Sequence, residues 1–225
     1  QGQTTNYAVT GQFAGKALAE GERWGKAVAV TSSKADTFSY IPKITPELLS
    51  PDAAYLHITG NNTIFGTCYN TLPETGGIPL VADWSSAILG REIDVTAHTL
   101  IYAGAQKNMG PAGLTVVILR RDLLEREVDP IVPTMLRYKV MAENHSMYNT
   151  PPCFAIYMAG LMFQWVEKMG GVAAMEQRNR EKAALLYDLI EQSEIFQNPV
   201  AKEDRSIMNV TFTLPTPEDT KAFLQ

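Results

Sequence analysis

Apolar and polar positions along this chain follow two rhythms. Between Gly11 and Gly25, Ala14, Ala17, Leu18 and Trp24 recur at spacings that share one helix face. The run Ala27-Val28-Ala29-Val30-Thr31 then predicts a strand. Ser32 to Pro51 is polar and contains prolines, so it predicts a loop with a short helix start at Ile44–Leu49. Further strands are predicted at Tyr55–Ile58, Leu80–Ala82, Thr99–Tyr102 and Leu114–Leu119. Cys153 to Met169 is rich in apolar and aromatic residues, which predicts a helix buried on more than one side. Gly170-Gly171 interrupts it, and Val172 to Ser193 predicts a long amphipathic helix bearing Arg178, Arg180, Glu181 and Lys182. Met208–Phe212 predicts a strand that opens a smaller domain. No repeat or low-complexity tract interrupts this order. It implies a three-layer α/β domain over residues 1–175 and part of an α+β domain over 176–225.

Composition narrows the class without choosing a function. A chain of 225 residues can bury one good core and part of a second. Its 45% hydrophobic and 19% charged content is that of an ordinary soluble globular protein. A net charge of −5 without a Lys/Arg cluster gives no footprint for nucleic acid. No apolar run reaches the roughly 18 residues of a membrane span, so no membrane partner is expected. No signal peptide opens the sequence, and Gln at position 1 suggests that the native N-terminus lies upstream. Cys68 and Cys153 are far apart and lack metal spacing. They predict reduced thiols in a cytoplasmic protein and no metal site.

The chemistry concentrates at Ala103–Gly113, where Lys107 sits among small residues between two predicted strands. A lysine partly desolvated in such a turn has a lowered pKa and can attack a cofactor aldehyde. An exposed turn lysine is the plainer alternative. Twenty-four residues earlier, Ile78–Ser86 reads as a short strand ending in Asp83 and two hydroxyls. Ligands of open α/β sheets bind beyond the carboxyl ends of strands. A carboxylate there beside a lysine suits pyridoxal phosphate, with the lysine as Schiff base and the acid holding the pyridine proton. Asp83 as a helix cap or turn residue is the other reading.

These segments resemble the phosphoserine aminotransferase family, within the class V, fold-type I pyridoxal-phosphate enzymes. The resemblance is carried by Thr10–Phe13, Asn61–Gly66, Ala82–Ser86, Tyr102–Gly113, Ser146–Pro152 and Arg205–Val210, in order along the whole chain. It implies a mostly parallel sheet in a pyridoxal-phosphate-binding large domain over 1–175, with 176–225 starting the small C-terminal domain. It also implies that the chain is an internal section of a longer enzyme. Segments with a Gly-rich phosphate-binding turn and the substrate-binding His and Arg residues would then lie outside it.

By the same resemblance Lys107 and Asp83 are catalytic, and Lys107 carries pyridoxal 5'-phosphate as a Schiff base. Phe13 stands where the family usually has a tryptophan stacked on the pyridine ring; it keeps a π face and loses the indole N–H. Thr63 is implied as a partner of the cofactor's phenolic oxygen, though Asn-Asn-Thr alone reads as a turn. The Gln106 amide can donate to the cofactor phosphate. Pro151-Pro152 fixes a rigid extended loop after Asn149 and Thr150. In the family that loop reaches the neighbouring subunit's phosphate, so the resemblance implies a homodimer with shared sites. His57 reads as a core or near-site histidine, and His98 and His145 receive no role.

The implied reaction is amino transfer between O-phosphoserine and 2-oxoglutarate, giving 3-phosphohydroxypyruvate and glutamate, in serine biosynthesis. A second role in pyridoxine biosynthesis, on a phosphorylated threonine analogue, stays open. So do another class V activity (serine–glyoxylate transaminase or cysteine desulfurase) and an inactive truncated remnant.

Overall fold

The computed structural model describes residues 3–225, and the inference drawn from Gln1 lies outside them. Strand β1 (Thr4–Val9) leads into helix α1 (Gln12–Trp24), which returns the chain to β2 (Lys26–Ser32), parallel to β1. The chain next crosses to β3 (Leu56–Thr59) on the opposite side of β1. A two-stranded ladder, β4 (Asn61–Asn62) with β5 (Thr67–Cys68), follows. Then β6 (Leu80–Asp83), β7 (Leu100–Gly104) and β8 (Thr115–Leu119) complete a six-stranded sheet. Its order is β2-β1-β3-β6-β7-β8, parallel throughout except for the antiparallel β7–β8 edge. The winding direction reverses between β1 and β3, and such a switch point leaves a crevice at the strands' carboxyl ends.

Most predicted strands lie where the apolar runs placed them, because parallel strands covered on both faces need continuous apolar sequence. Leu56, Ile58, Ala82, Trp84 and Ile101 are its buried centre. β1 was not legible in this way. Thr4 and Asn6 are polar yet 5% and 0% exposed, so burial alternates with chemistry that looks like a loop. The Asn6 side-chain oxygen accepts the Ser50 hydroxyl at 3.1 Å, while its buried amide nitrogen has no partner among the described residues.

Two expectations need correction. Met208–Phe212 is not a strand: only isolated bridges form nearby, Thr67 with Arg205 and Gln197 with Thr213. Residues 206–211 spend their polar groups on the β4–β5 ladder instead. Ser206 N–H donates to Gly66 O at 2.8 Å, Asn61 donates to Asn209 Oδ1 at 2.8 Å, and Thr211 donates to Phe65 O at 3.2 Å. Helix α2 (Tyr138–Glu143) is short. Helix α3 (Cys153–Lys168) is not buried on several sides either. It buries Ala155, Ala159 and Val166, while Phe154 and Tyr157 are 70% and 64% exposed. The small-residue face allows close approach to the turn at Gly110, where an added Cβ would lie 3.6 Å from the Ala159 nitrogen. The large side chains therefore point away from it.

Helix α4 (Gly171–Glu191) contacts α3, buries Met175, Ala183 and Ile190, and runs unbroken through residues 175 and 176. A last helix, α5 (Pro217–Phe223), follows. No described helix is long and apolar enough to cross a membrane.

Candidate active site

The crevice at the switch point is built by close backbone approach. Thr10 and Gly11 leave β1 beside Asn62, and a Cβ on Gly11 would lie 2.4 Å from the Asn62 side-chain oxygen. Asn62 donates to the Thr10 and Thr67 hydroxyls, both at 3.1 Å, and so ties β1 to the β4–β5 ladder. Gly60 is required for a similar reason, its Cβ position falling 2.5 Å from Trp84 ring carbons. No side chain caps α1, so its first-turn N–H donors remain available to a ligand.

Lys107 is held over this crevice by its turn. Ala105 N–H donates to Leu114 O at 2.9 Å, and Gly110 N–H returns to Ala105 O at 2.9 Å. Met109, 1% exposed, anchors the turn with Ala103 and Ala105. Burying such a side chain contributes about 1.5–3 kcal/mol. The Lys107 amine donates to the Thr63 hydroxyl at 2.6 Å and lies 5.9 Å from the centre of the Phe13 ring. Phe13 remains 44% exposed, and Lys16 Nζ also stands 5.4 Å from its ring centre. Partial burial lowers the amine's pKa, against the opposing pull of the Asp83 carboxylate. The side chain is still exposed, so solvent screens both effects.

Asp83 ends β6, directly opposite Thr59 of β3 and Tyr102 of β7. One carboxylate oxygen accepts the Ser85 N–H at 2.9 Å and the Ser85 hydroxyl at 2.6 Å. That hydroxyl accepts Gly104 N–H at 3.0 Å, linking the aspartate to the strand that presents Lys107. The turn role read for Asp83 is thus real at one oxygen. The other accepts no hydrogen bond among the described residues, which leaves it free for a cationic N–H.

His57 lies beneath, in register with Val81 and two positions before Thr59. Its Nε2 pairs with the Tyr102 hydroxyl at 2.9 Å, while Nδ1 is buried without a partner. Burial drives its pKa down to about 4, only partly offset by the negative charge of Asp83. Ser85 and Tyr102, which connect the two strand ends, were missed as positioning groups. Their only sequence signal was a hydroxyl at each end of a predicted strand. His98 is structural, bridging Trp84 Nε1 at 3.1 Å and Asp94 O at 2.7 Å.

The structure brings Lys107, Thr63, Phe13 and Asp83 to one crevice but does not bring in every candidate. Gln106 is exposed and folded back, its side-chain oxygen 2.4 Å from where a Gly104 Cβ would stand. Asn149 and Thr150 are exposed before α3 and make no hydrogen bond to the described residues. Cys68 is 1% exposed and its thiol is pushed up to about 11 by burial, the reverse of what a persulfide-forming nucleophile needs.

The chain is similar to curated and structurally solved aminotransferases. A phosphoserine aminotransferase of Geobacillus kaustophilus is 54% identical over 100% of this chain and 62% of its own length. The solved structure of phosphoserine aminotransferase from Bacillus circulans subsp. alkalophilus superposes with a TM-score of 0.94 at 45% identity, over 100% of this chain and 62% of that one. A phosphoserine aminotransferase of Trichomonas vaginalis, solved with PLP bound, gives 0.91 at 36% identity, over 99% of this chain and 64% of that one. This chain therefore spans about 62% of the length of the relatives it matches. Its mostly parallel sheet is that of the fold-type I pyridoxal-phosphate aminotransferases. With the aminotransferase class-V model matching residues 20–225, the chain belongs to the class-V aminotransferase family.

Proposed function

We propose that this chain carries the cofactor-holding section of a pyridoxal-phosphate-dependent aminotransferase acting on small molecules. Its proposed substrates are O-phosphoserine and 2-oxoglutarate, converted to 3-phosphohydroxypyruvate and glutamate. The observation that carries the reading is the 2.6 Å contact of the Lys107 amine with Thr63, beside the exposed Phe13 ring and within the field of Asp83. The residues fit the group: an amine of lowered pKa, a flat aromatic face, a free carboxylate oxygen and uncapped helix donors lie together at the switch point.

When bound, the cofactor supplies a conjugated ring that accepts the electrons of a broken Cα–H bond. Lys107 Nζ would hold the cofactor covalently and, as a free amine of lowered pKa, would carry the proton taken from Cα. The free oxygen of Asp83 keeps a proton on the ring nitrogen, and Ser85 fixes the other oxygen so that the carboxylate does not turn away. Thr63 orients the lysine and donates to the phenolic oxygen. Phe13 would exclude water from one ring face, and the exposed Gln106 amide would donate to the phosphate.

Asn149 and Thr150 are exposed and make no hydrogen bond to the described residues, which leaves them available to a second copy in a homodimer. Residues 1–175 then form the cofactor-binding domain and 176–225 open a smaller one, with α4 as a rigid connector. Such an enzyme belongs to cytoplasmic serine biosynthesis, with pyridoxine biosynthesis as a second role.

The test is glutamate formation from O-phosphoserine and 2-oxoglutarate after loading with pyridoxal phosphate, with cofactor binding measured separately. Turnover only with serine and glyoxylate, or sulfide release from cysteine, would reassign the substrate. Cofactor binding without any turnover would make the chain an inactive remnant.

A further inference from the structure

Arg91 lies in the loop after Trp84 and lines a second pocket of about 450 Å³ with Asn70, Arg180, Tyr187, Lys202 and Arg205. Four cations thus face one concavity in a chain whose net charge is −5. Two carboxylates answer three of them. Glu176 pairs with Arg180, and Glu191 pairs with Lys202 at 2.9 Å and with Arg205 at 2.6 Å. Arg91 has no carboxylate partner among the described residues. Its Nη1 donates to Cys68 Sγ at 3.0 Å and to Asn70 Oδ1 at 2.8 Å, and its buried Nε meets no acceptor. The neighbouring Asp204 is engaged elsewhere, accepting the Ile41 N–H at 2.8 Å.

The cations are also preorganised. The Arg205 side chain is only 15% exposed, and its guanidinium stands 4.7 Å from the Tyr187 ring centre. Arg91 is held 5.9 Å from the Trp84 ring and tethered by Asn70, which itself donates to Arg205 O at 3.2 Å. Little side-chain entropy remains to be lost when a ligand arrives. A guanidinium taken out of water without a counter-ion is costly, and an oxyanion relieves that cost. The planar guanidinium fork matches phosphate oxygens in pairs, which an ammonium cannot do.

We propose that the pocket between the Arg91 loop, α4 and residues 202–207 binds a phosphate group, with Arg91 as its principal ligand and Arg180 and Lys202 closing around it. The site does not depend on the cofactor assignment, since it shares no residue with the Lys107 crevice.

The test is calorimetric titration of inorganic phosphate and of ethyl phosphate into the wild-type chain and three variants. One saturable site is expected, weakened roughly tenfold or more in Arg91→Gln, as loss of a charge-assisted contact requires. Arg180→Gln, on a half-exposed side chain, should weaken it several-fold. Gln106→Ala, in the proposed cofactor-phosphate cradle, should leave it unchanged. Tighter binding of ethyl phosphate identifies an organic phosphate monoester as the ligand, and equal or tighter inorganic phosphate identifies the free ion. Absence of saturable binding overturns the proposal. So does binding that both arginine variants retain, or that Gln106→Ala removes.

Discussion

The buried His57 makes the fold sensitive to mild acid, and the size of the effect follows from its surroundings. The ring is 4% exposed, its Nδ1 has no partner, and its pKa is about 4 against an ordinary value of 6.5. The folded protein therefore holds it neutral, while the unfolded chain takes up a proton as pH falls below 6.5. Stability from this group is complete above that value and is lost progressively down to about pH 4. Linkage over this interval gives a loss of about 2 kcal/mol at pH 5 and about 3 kcal/mol at pH 4. His98 is also held below its ordinary value, mainly by burial, and acts in the same direction.

The informative perturbation is His57→Gln, which keeps a hydrogen-bonding group near the Tyr102 hydroxyl but cannot titrate. Urea denaturation of both proteins at pH 7.5 and pH 5 isolates the His57 contribution, because every other titrating group is common to them. The wild type should lose about 2 kcal/mol more than the variant between the two pH values. Equal losses would show that His57 is solvated or paired and would refute the reasoning.

Asp83→Asn should still bind the cofactor but lower turnover by at least about 100-fold, near 3 kcal/mol in the barrier; steady-state kinetics near wild type would place the ring-nitrogen partner elsewhere. Exposed Cys153 should react rapidly with a disulfide reagent at pH 8. Cys68, buried with its thiol at about 11, should react only on unfolding, and two fast thiols would contradict the burial. Lys107→Ala and Thr150→Ala chains, each impaired alone, should regain activity above the Thr150→Ala dimer when mixed under exchange. Exchange without recovery would confine the Asn149–Thr150 loop to its own chain.

The strands around the site were legible because apolar runs and parallel burial coincide at Leu56–Thr59, Leu80–Asp83 and Leu100–Gly104. β1 was hidden by buried Thr4 and Asn6, polar residues that the hydrophobic pattern places in a loop. Met208–Phe212 misled because an apolar run fixes no ladder when neighbouring serine, asparagine and threonine side chains take up the available partners. α3 misled because hydrophobicity does not say which face meets a neighbour. Its alanines make the contact and its aromatics do not. At the site, the residue types of Lys107 and Asp83 marked them as candidates, and the structure places both at the crevice. The Ser85 bridge and the His57–Tyr102 pair could not be read, since each joins different strands through side chains.

The central claim is that Lys107 is the residue to which the cofactor attaches. Loading the chain with pyridoxal phosphate, reducing with borohydride and mapping the adduct by peptide mass spectrometry tests it directly. The account predicts a single adduct on the peptide containing Lys107, absent from a folded Lys107→Ala variant. An adduct on another lysine, or one that persists in that variant, would contradict it.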